Sequence, residues 1–578
     1  MPQTIKEIIL NEIKTTVNDL KNELNIEIPA DYQYKVEYPP DFKFGDYSSP
    51  AAMDMARYFK LNPRQLASDI VKKLLENNDF KKLIREIKIE GPGFINFFIS
   101  EYYPQNLLNS NFSFSEYIKN LFPKKEKPSF IFEFVSANPT GPLNIVSARA
   151  AAVGDSICRV LSACGYNVYK EYYVNDFGNQ VKLLGESFAY RFAEINNKKI
   201  TLPADCYQGE YITEIVKNIN KATLPEFILN IPDDENLFLS WVQQAGEYFS
   251  CIGIEKLLDT HKNDLSDFRV SFDNFFSEKS LHENNSVENT FLELKEKNQI
   301  YEKDGAWFFK SSDFGDDKDR VIKRNDGRPT YLLADIAYHK NKADRKFDNI
   351  YDMWGPDHHG YIARMKAAMQ ALEILINHDF KVLIVQQVNL IEDKKPIVMS
   401  KRLGKFQTMK DLTEKIPVDV CRYFFNTRSQ SSHLDFDLEL ALTESNQNPV
   451  YYIQYAHARI HSIFRETTIN YNDNLILNEI PEQWFFTAKR NDLLFYLLKF
   501  PEELYEISKN LEVHRLSSYL YQTASLFTAF YHEKENHILE KLKNNPNEGI
   551  FLLSICKFTA DTIAYGLNLL GVSAPQKM

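Results

Sequence analysis

The chain has 578 residues, 44% of them hydrophobic and 25% charged, and a formal net charge of −11. That length allows several separate cores and sets an expectation of three or four domains. The composition is globular and excludes a disordered or fibrous chain. The acidic balance argues against a general nucleic-acid binder but leaves room for a local basic groove.

Met1 to Leu24 has the spacing of an amphipathic helix interrupted by Lys6, Glu7, Glu12 and Lys14, without the apolar core and cleavage site of a secretory signal. No run of eighteen apolar residues occurs, so no membrane span is expected. The cysteines Cys158, Cys164, Cys206, Cys251, Cys421 and Cys556 are scattered without a CxxC spacing. That pattern suits a reducing cytoplasm and gives no reason to expect a tightly bound metal.

Residues 1–115 read as a first domain of mixed helix and strand. Leu66 to Leu75 looks helical, and Gly91-Pro92-Gly93 separates two apolar strand candidates. A Lys- and Pro-rich linker, Phe122 to Pro128, then opens an alternating α/β pattern assigned to residues 125–415. Phe130 to Val135 is a predicted strand, Asn138 to Pro142 a loop, about Ala148 to Cys164 a helix, and Val168 to Val174 a second strand. A βαβ unit of this kind implies a parallel sheet with its ligand crevice at the strand C-termini. A second unit follows: strand Ile350 to Trp354, helix from about Tyr361 to Ile376, strand Val382 to Val388. The charged stretch between them, around 190–320, reads as an insertion. Residues 416–447 connect to a final region, 448–578, which reads as helix after helix and predicts an all-α bundle. The expected fold class is α/β, a Rossmann-like parallel-sheet domain flanked by an α+β domain and this bundle.

Four segments could carry chemistry. In the first βα turn, Pro139, Thr140 and Gly141 lead to a helix N-terminus that offers free N–H groups to an anion; it has no GxGxxG and no Walker lysine, and an ordinary βα connection would look the same. Met399-Ser400-Lys401-Arg402, followed by Gly404, makes a phosphate clamp or a charged surface loop. Asp357-His358-His359 sits where the second unit turns, suited to hydrogen bonding around a nucleotide, to a structural turn or, with further ligands, to a metal. Tyr331 and Asp335, four apart, share one helical face; together they could take a cationic substrate through a ring face and a charge-assisted bond, or serve as core and cap.

Eight segments in this order resemble the bacterial arginyl-tRNA synthetases, class I enzymes: FVSANPTGPL (134–143), EYYVNDFGNQ (171–180), DGRPTYLLADIAYH (326–339), WGPDHHGYIARMKAA (354–368), MSKRLGKFQT (399–408), LDFDLELA (434–441), NPVYYIQYAHARI (448–460) and LLGVSAP (569–575). The resemblance spans essentially the whole chain. It implies ATP-dependent ligation of arginine to tRNA(Arg) through an adenylate by a cytoplasmic monomer, with Mg²⁺ entering on ATP and activation waiting for bound tRNA. It also implies an N-terminal domain on the tRNA elbow and a bundle on the anticodon. By the same resemblance Glu133, Ser136, Asn138, Tyr331 and Asp335 surround the arginine. Pro139, Thr140, Gly141, Asn144, Ser147, Asp357, His358, Met399, Ser400 and Lys401 lie by ATP, and Tyr455 and Arg459 face tRNA. Asn144 to Ser147 occupies the HxGH signature with neither histidine and no glycine, and Val398 to Lys401 occupies KMSK without its first lysine. Asn144, Ser147, Lys401 and Arg402 are then the catalytic candidates. A non-catalytic tRNA-binding paralogue is the alternative from another class.

Overall fold

The structure, a computed structural model, describes residues 4–29, 32–108, 114–122, 127–396, 408–473, 475, 477, 480–487 and 489–578. Its centre is a sheet of five strands: β1 (Ser129–Glu133), β2 (Asn167–Val174), β3 (Asn274–Ser277), β4 (Asn349–Trp354) and β5 (Asp379–Ile384). Their spatial order is β3-β2-β1-β4-β5, and every neighbouring pair is parallel. That is the doubly wound order, in which the chain departs to opposite sides of β1 and β4 and leaves a crevice beyond their C-terminal ends.

Both faces of the sheet are covered, and the period-2 alternation shows how. Phe130 and Phe132 of β1 point into a core continuous with the C-terminal bundle, while Ile131 joins a second core on the opposite face. Helix α1 (Ile145–Ala163) lies on the first face, capped at its start by Asn144. Its alanines 148, 150, 151 and 152 are all buried, because small side chains let it approach the sheet and the bundle at once. Gly154 takes this furthest: a Cβ there would stand 2.5 Å from the Phe134 ring. Helix α2 (Tyr331–Asp344) covers the other face and carries Leu333, Ile336 and Ala337 inward.

Several elements depart from their predicted bounds. β1 stops at Glu133, and Val135 and Ser136 turn into the left-handed region with φ of 70° and 39°. The helix predicted over Tyr361 to Ile376 is a 3₁₀ turn (Pro356–Tyr361), a short helix (Ile362–Ala371) and a further 3₁₀ turn (Ile374–Ile376), interrupted at Glu373 with φ 61°. The strand predicted over Val382 to Val388 divides: Asp379–Ile384 is β5, and Val388–Glu392 pairs in parallel with Leu434–Asp437 in a separate sheet. The stretch read as an insertion contributes β3 to the central sheet. All four residues of β3 are half-buried, so it has no alternation for a sequence pattern to reveal.

The rest of that stretch builds its own core where helix Asn179–Ile195 packs along Glu235–Asp267. In the N-terminal region helices Ile5–Glu23, Ala51–Phe59 and Pro63–Leu74 cover an antiparallel sheet of Tyr47–Ser49, Phe94–Ile99 and Ile84–Glu90. Helices Pro449–Glu466, Arg490–Leu498, Phe500–Asn510, His514–His532 and Pro546–Leu569 form the bundle. Among the described residues only Pro546–Leu569 is long and apolar enough to cross a membrane, and its Phe551, Leu552 and Ile555 are buried inside the bundle.

Candidate active site at the switch point

A cavity of about 490 Å³ opens beyond the C-terminal ends of β1 and β4, and Glu133, Ser136, Asn138, Tyr331 and Asp335 all line it. The α2 helix begins at Tyr331, so Tyr331 and Asp335 project one turn apart from its first face. Tyr331 is 56% exposed at the rim. Asp335 accepts a 2.6 Å hydrogen bond from the Tyr361 hydroxyl. Burial holds its carboxyl above the ordinary range, opposed by that bond. A third carboxylate, Glu278, reaches the same space from just after β3. It is 3% exposed, and burial pushes it up to about 7, with Asp335 and Asp176 adding repulsion. Two enclosed carboxyls, each raised by burial, give the cavity an acidic lining.

Glu133 is differently placed. Its Oε2 meets the Lys342 ammonium at 2.5 Å, and its Oε1 accepts from the Ser136 hydroxyl at 2.8 Å. Lys342 is fully buried and also pairs with Asp352 at 2.6 Å. Asp352 in turn receives His339 at 2.7 Å. The Glu133 charge is thus already matched beneath the floor of the cavity, whereas among the described residues neither Asp335 nor Glu278 pairs with a lysine or arginine; Glu278 has the His282 ring at 3.8 Å, an imidazole whose pKa burial lowers. Ser136 bridges strands: besides Glu133 it accepts the Tyr173 backbone N–H at 3.0 Å. Asn138 donates to Gln180 at 2.8 Å.

Pro139, Thr140 and Gly141 follow on a loop fixed from the other side by the inserted helices. The Tyr211 hydroxyl donates to the Thr140 carbonyl at 2.5 Å. His261, fully buried, meets the Gly141 carbonyl at 2.7 Å and the Tyr172 hydroxyl at 3.0 Å. At the head of α1 the Asn144 side-chain oxygen accepts from the Ser147 N–H at 2.8 Å and from its hydroxyl at 3.1 Å. Asn144 is therefore an N-cap, but capping uses only its oxygen and leaves an exposed amide nitrogen free to donate. Capping and ligand binding, which the sequence sets as alternatives, are compatible. Asn144 also bridges Thr408, and Met409 donates its N–H to the Leu143 carbonyl at 2.8 Å. Met399, Ser400, Lys401 and Arg402 lie outside the described residues; the described chain resumes beside Asn144. His358 lines the cavity, and exposed Asp357 faces an adjoining one. Among the described residues no group of three or more His, Cys, Asp or Glu side chains is placed to hold a metal ion.

In the bundle, Arg459 of helix Pro449–Glu466 lies 6.0 Å from the Tyr455 ring centre and 5.3 Å from that of Tyr531 on helix His514–His532. Tyr455 is 40% exposed and stacks on Tyr451 at 9°. The exposed ring and the guanidinium beside it thus present flat faces on the bundle surface.

Residues 115–417 match the catalytic domain of class I tRNA synthetases of the arginine type. The chain belongs to the class I arginyl-tRNA synthetases. Residues 3–99 match the arginyl-tRNA synthetase N-terminal domain, and 453–578 the DALR anticodon binding domain. An arginine–tRNA ligase of Leptospira biflexa is 43% identical over 607 aligned residues, covering 100% of this chain and 98% of its own. That of Bacillus subtilis is 40% identical over 580, covering 100% and 99%. The Thermus thermophilus arginyl-tRNA synthetase structure superposes with a TM-score of 0.75 at 18% identity over all of both chains, a likeness of fold.

The sequence reading missed Glu278, Lys342, His261 and Tyr211. Glu278 follows a strand without alternation, and Lys342 is one of many helical lysines, so neither stands out by pattern. The run Tyr338-His339 with Lys342 on the buried face of α2 is the one available signal: charged groups on an inward face need partners.

Proposed function

We infer that this chain joins L-arginine to tRNA(Arg) at the expense of ATP. The arginine carboxylate oxygen bonds to the α-phosphorus as the bond to the leaving pyrophosphate breaks, giving arginyl-adenylate. A ribose hydroxyl of the tRNA 3′ end then attacks the acyl carbon, loses its proton and displaces AMP. The observation that carries the reading is the pair Asp335 and Glu278, enclosed at the crevice of a doubly wound sheet with no lysine or arginine paired to either among the described residues, with Tyr331 at the rim. A guanidinium supplies the missing charge, with a planar fork suited to two carboxylates.

In this reading the parts divide among the residues. Asp335 and Glu278 take the guanidinium; Glu133, held by Lys342, shapes the floor; Ser136 and Asn138 border the carboxylate end. Asn144 and Ser147 donate to ATP at the head of α1, next to Pro139, Thr140 and Gly141, with Asp357 and His358 opposite. Lys401 and Arg402 neutralise the leaving pyrophosphate, joined by Mg²⁺ that arrives with the nucleotide rather than on protein ligands. A second cavity of about 480 Å³ shares Tyr331 and Glu278 with the first and is lined by Lys182, Arg324, Arg328 and Phe177. Its cations and half-exposed rings suit the single-stranded 3′ end of tRNA. The N-terminal domain meets the tRNA elbow, and Tyr455 and Arg459 stack against the anticodon arm. The enzyme works as a cytoplasmic monomer.

Incubation with tRNA(Arg), ATP-Mg²⁺ and labelled arginine yields acid-precipitable arginyl-tRNA. Absence of product from folded protein would convert the reading to that of a tRNA-binding paralogue.

A further inference from the structure

Among the described residues three arginines are almost completely buried: Arg149, Arg422 and Arg490. Arg422 pairs with Asp155 at 2.7 Å and Arg490 with Glu548 at 2.7 Å. Among the described residues Arg149 has no such partner. Its Nη1 donates to the Gln386 carbonyl at 2.9 Å and more weakly to that of Gln387 at 3.5 Å, and its Nη2 to the Ser429 carbonyl at 2.9 Å. Its Nε is buried without a partner. Burial alone pulls the guanidinium down to about 10, with no carboxylate opposing, so it remains a cation at neutral pH.

Burying a charge without a counter-ion is costly, and an apolar side chain of similar volume would avoid that cost. The location gives the reason for keeping it. Arg149 is the fifth residue of α1, about 7.5 Å along the axis from the cap at Asn144. Its charge adds to the positive end of the helix, inside protein where water screens little. Gln386 and Gln387 link β5 to the strand Val388–Glu392, and the chain beyond that strand carries Lys401. Asn144 and Ser147, standing where the family has histidines, bring no charge of their own.

We propose that Arg149 is a positioning residue whose absent counter-charge is the nucleotide's triphosphate: it fixes α1 against the turn after β5 and provides permanent positive potential from behind the uncharged Asn144–Ser147 head. This rests on the ATP-dependent reading above. Arg149 does not touch the substrate, and its effect scales with ligand charge.

The test compares dissociation constants for ATP-Mg²⁺ and for adenosine, measured by calorimetry on the full chain at fixed ionic strength. Arg149→Met removes the charge and keeps the apolar stem; ATP should weaken on the order of tenfold, the effect of a unit charge roughly 10 Å away at an effective dielectric of about 20, and adenosine by less than about twofold. Arg149→Lys keeps the charge and loses the fork; it should melt lower yet bind ATP within about threefold of the unmodified chain. Equal weakening of ATP and adenosine in Arg149→Met, or no weakening of either, would overturn the proposal. Should Arg149→Met fail to fold, Arg149→Lys decides: a tenfold loss of ATP with adenosine retained would refute a role for charge. ATP binding and arginyl-tRNA formation by the unmodified chain test the functional reading separately, which stands whatever the variants show.

Discussion

Asp335 and Glu278 face one cavity, so the proposed recognition of arginine is tested at the residue scale. Asp335→Asn keeps the shape and removes the charge. Truncating one partner of a buried charge pair costs about 2–5 kcal/mol, so the arginine KM should rise roughly thirtyfold or more. A rise below about threefold would place the guanidinium elsewhere. Glu278 adds a pH dependence. Its carboxyl sits near 7 in the free protein, while the guanidinium stays charged throughout. Binding favours the carboxylate, so below about pH 7 arginine must expel a proton. Affinity should climb about fivefold between pH 6 and 7 and level off about twofold higher by pH 8, and Glu278→Gln should flatten the profile. The same shift has a cost without ligand: a raised carboxyl loses its contribution to stability as pH rises from about 4.5 towards 7. The third test concerns Asn144. Aspartate caps as well as asparagine, so Asn144→Asp should melt like the unmodified chain. It replaces the amide donor with a negative charge, and kcat/KM for ATP should fall at least tenfold, since a hydrogen bond to a charged group is worth roughly 1.5–3 kcal/mol. Unchanged ATP kinetics would reduce Asn144 to a cap.

At the scale of elements, α1 owes its position to residues without side chains to spare. Gly154→Ala would press a Cβ to 2.5 Å from Phe134, where the ring packs at 4.5 Å from Phe272 and has no room to turn aside. Overpacking of this kind costs typically about 1–3 kcal/mol, and a lower denaturation midpoint in urea should register it; an unchanged midpoint would mean that helix and sheet can separate freely. What the sequence made legible also follows element lines. β1, β2, β4, α1 and α2 were visible because apolar runs and the Tyr331–Asp335 spacing follow simple periods. β3 was not, since half-burial on every residue erases the pattern. The turn after β1 was lost for another reason: Val135 is β-branched and reads as strand, yet it takes φ 70° in a turn where Ser136 donates its hydroxyl to Glu133 and its N–H to the Phe134 carbonyl and accepts the Tyr173 N–H from the neighbouring strand. The site shows the same division. The five residues assigned to arginine converge on one cavity, yet the ion pair that commits Glu133 to Lys342 joins positions 209 apart in the chain, and no local pattern announces such a pairing.

Across the whole molecule, one carboxylate fastens the N-terminal domain to the bundle. Glu502, on helix Phe500–Asn510, is 2% exposed and accepts from the Tyr38 hydroxyl at 2.6 Å, the Tyr47 hydroxyl at 3.0 Å and the Lys6 backbone N–H at 2.8 Å. Phe495 and Leu498 of the bundle enter the N-terminal core beside it. Glu502→Ala leaves three donors unmade, each worth about 1–3 kcal/mol when buried without a partner. Limited proteolysis should then cut the N-terminal domain faster. Amino-acid-dependent pyrophosphate exchange, measured with saturating tRNA, should persist because the cavity beyond β1 and β4 is untouched. Charging should show a higher KM for tRNA with little change in kcat, since the domain proposed to meet the tRNA elbow has lost its fixed station. Burial raises the Glu502 carboxyl, opposed by its three donors and by Lys499. The clasp is therefore strongest below the ordinary carboxylate range near 4.5 and weakens as pH rises through the raised value, and proteolytic susceptibility should increase in the same direction. Glu502→Gln, which stays neutral at every pH, should remove that pH dependence. A proteolysis rate in Glu502→Ala equal to that of the unmodified chain would show that the apolar contacts of Phe495 and Leu498 hold the two domains together without the carboxylate.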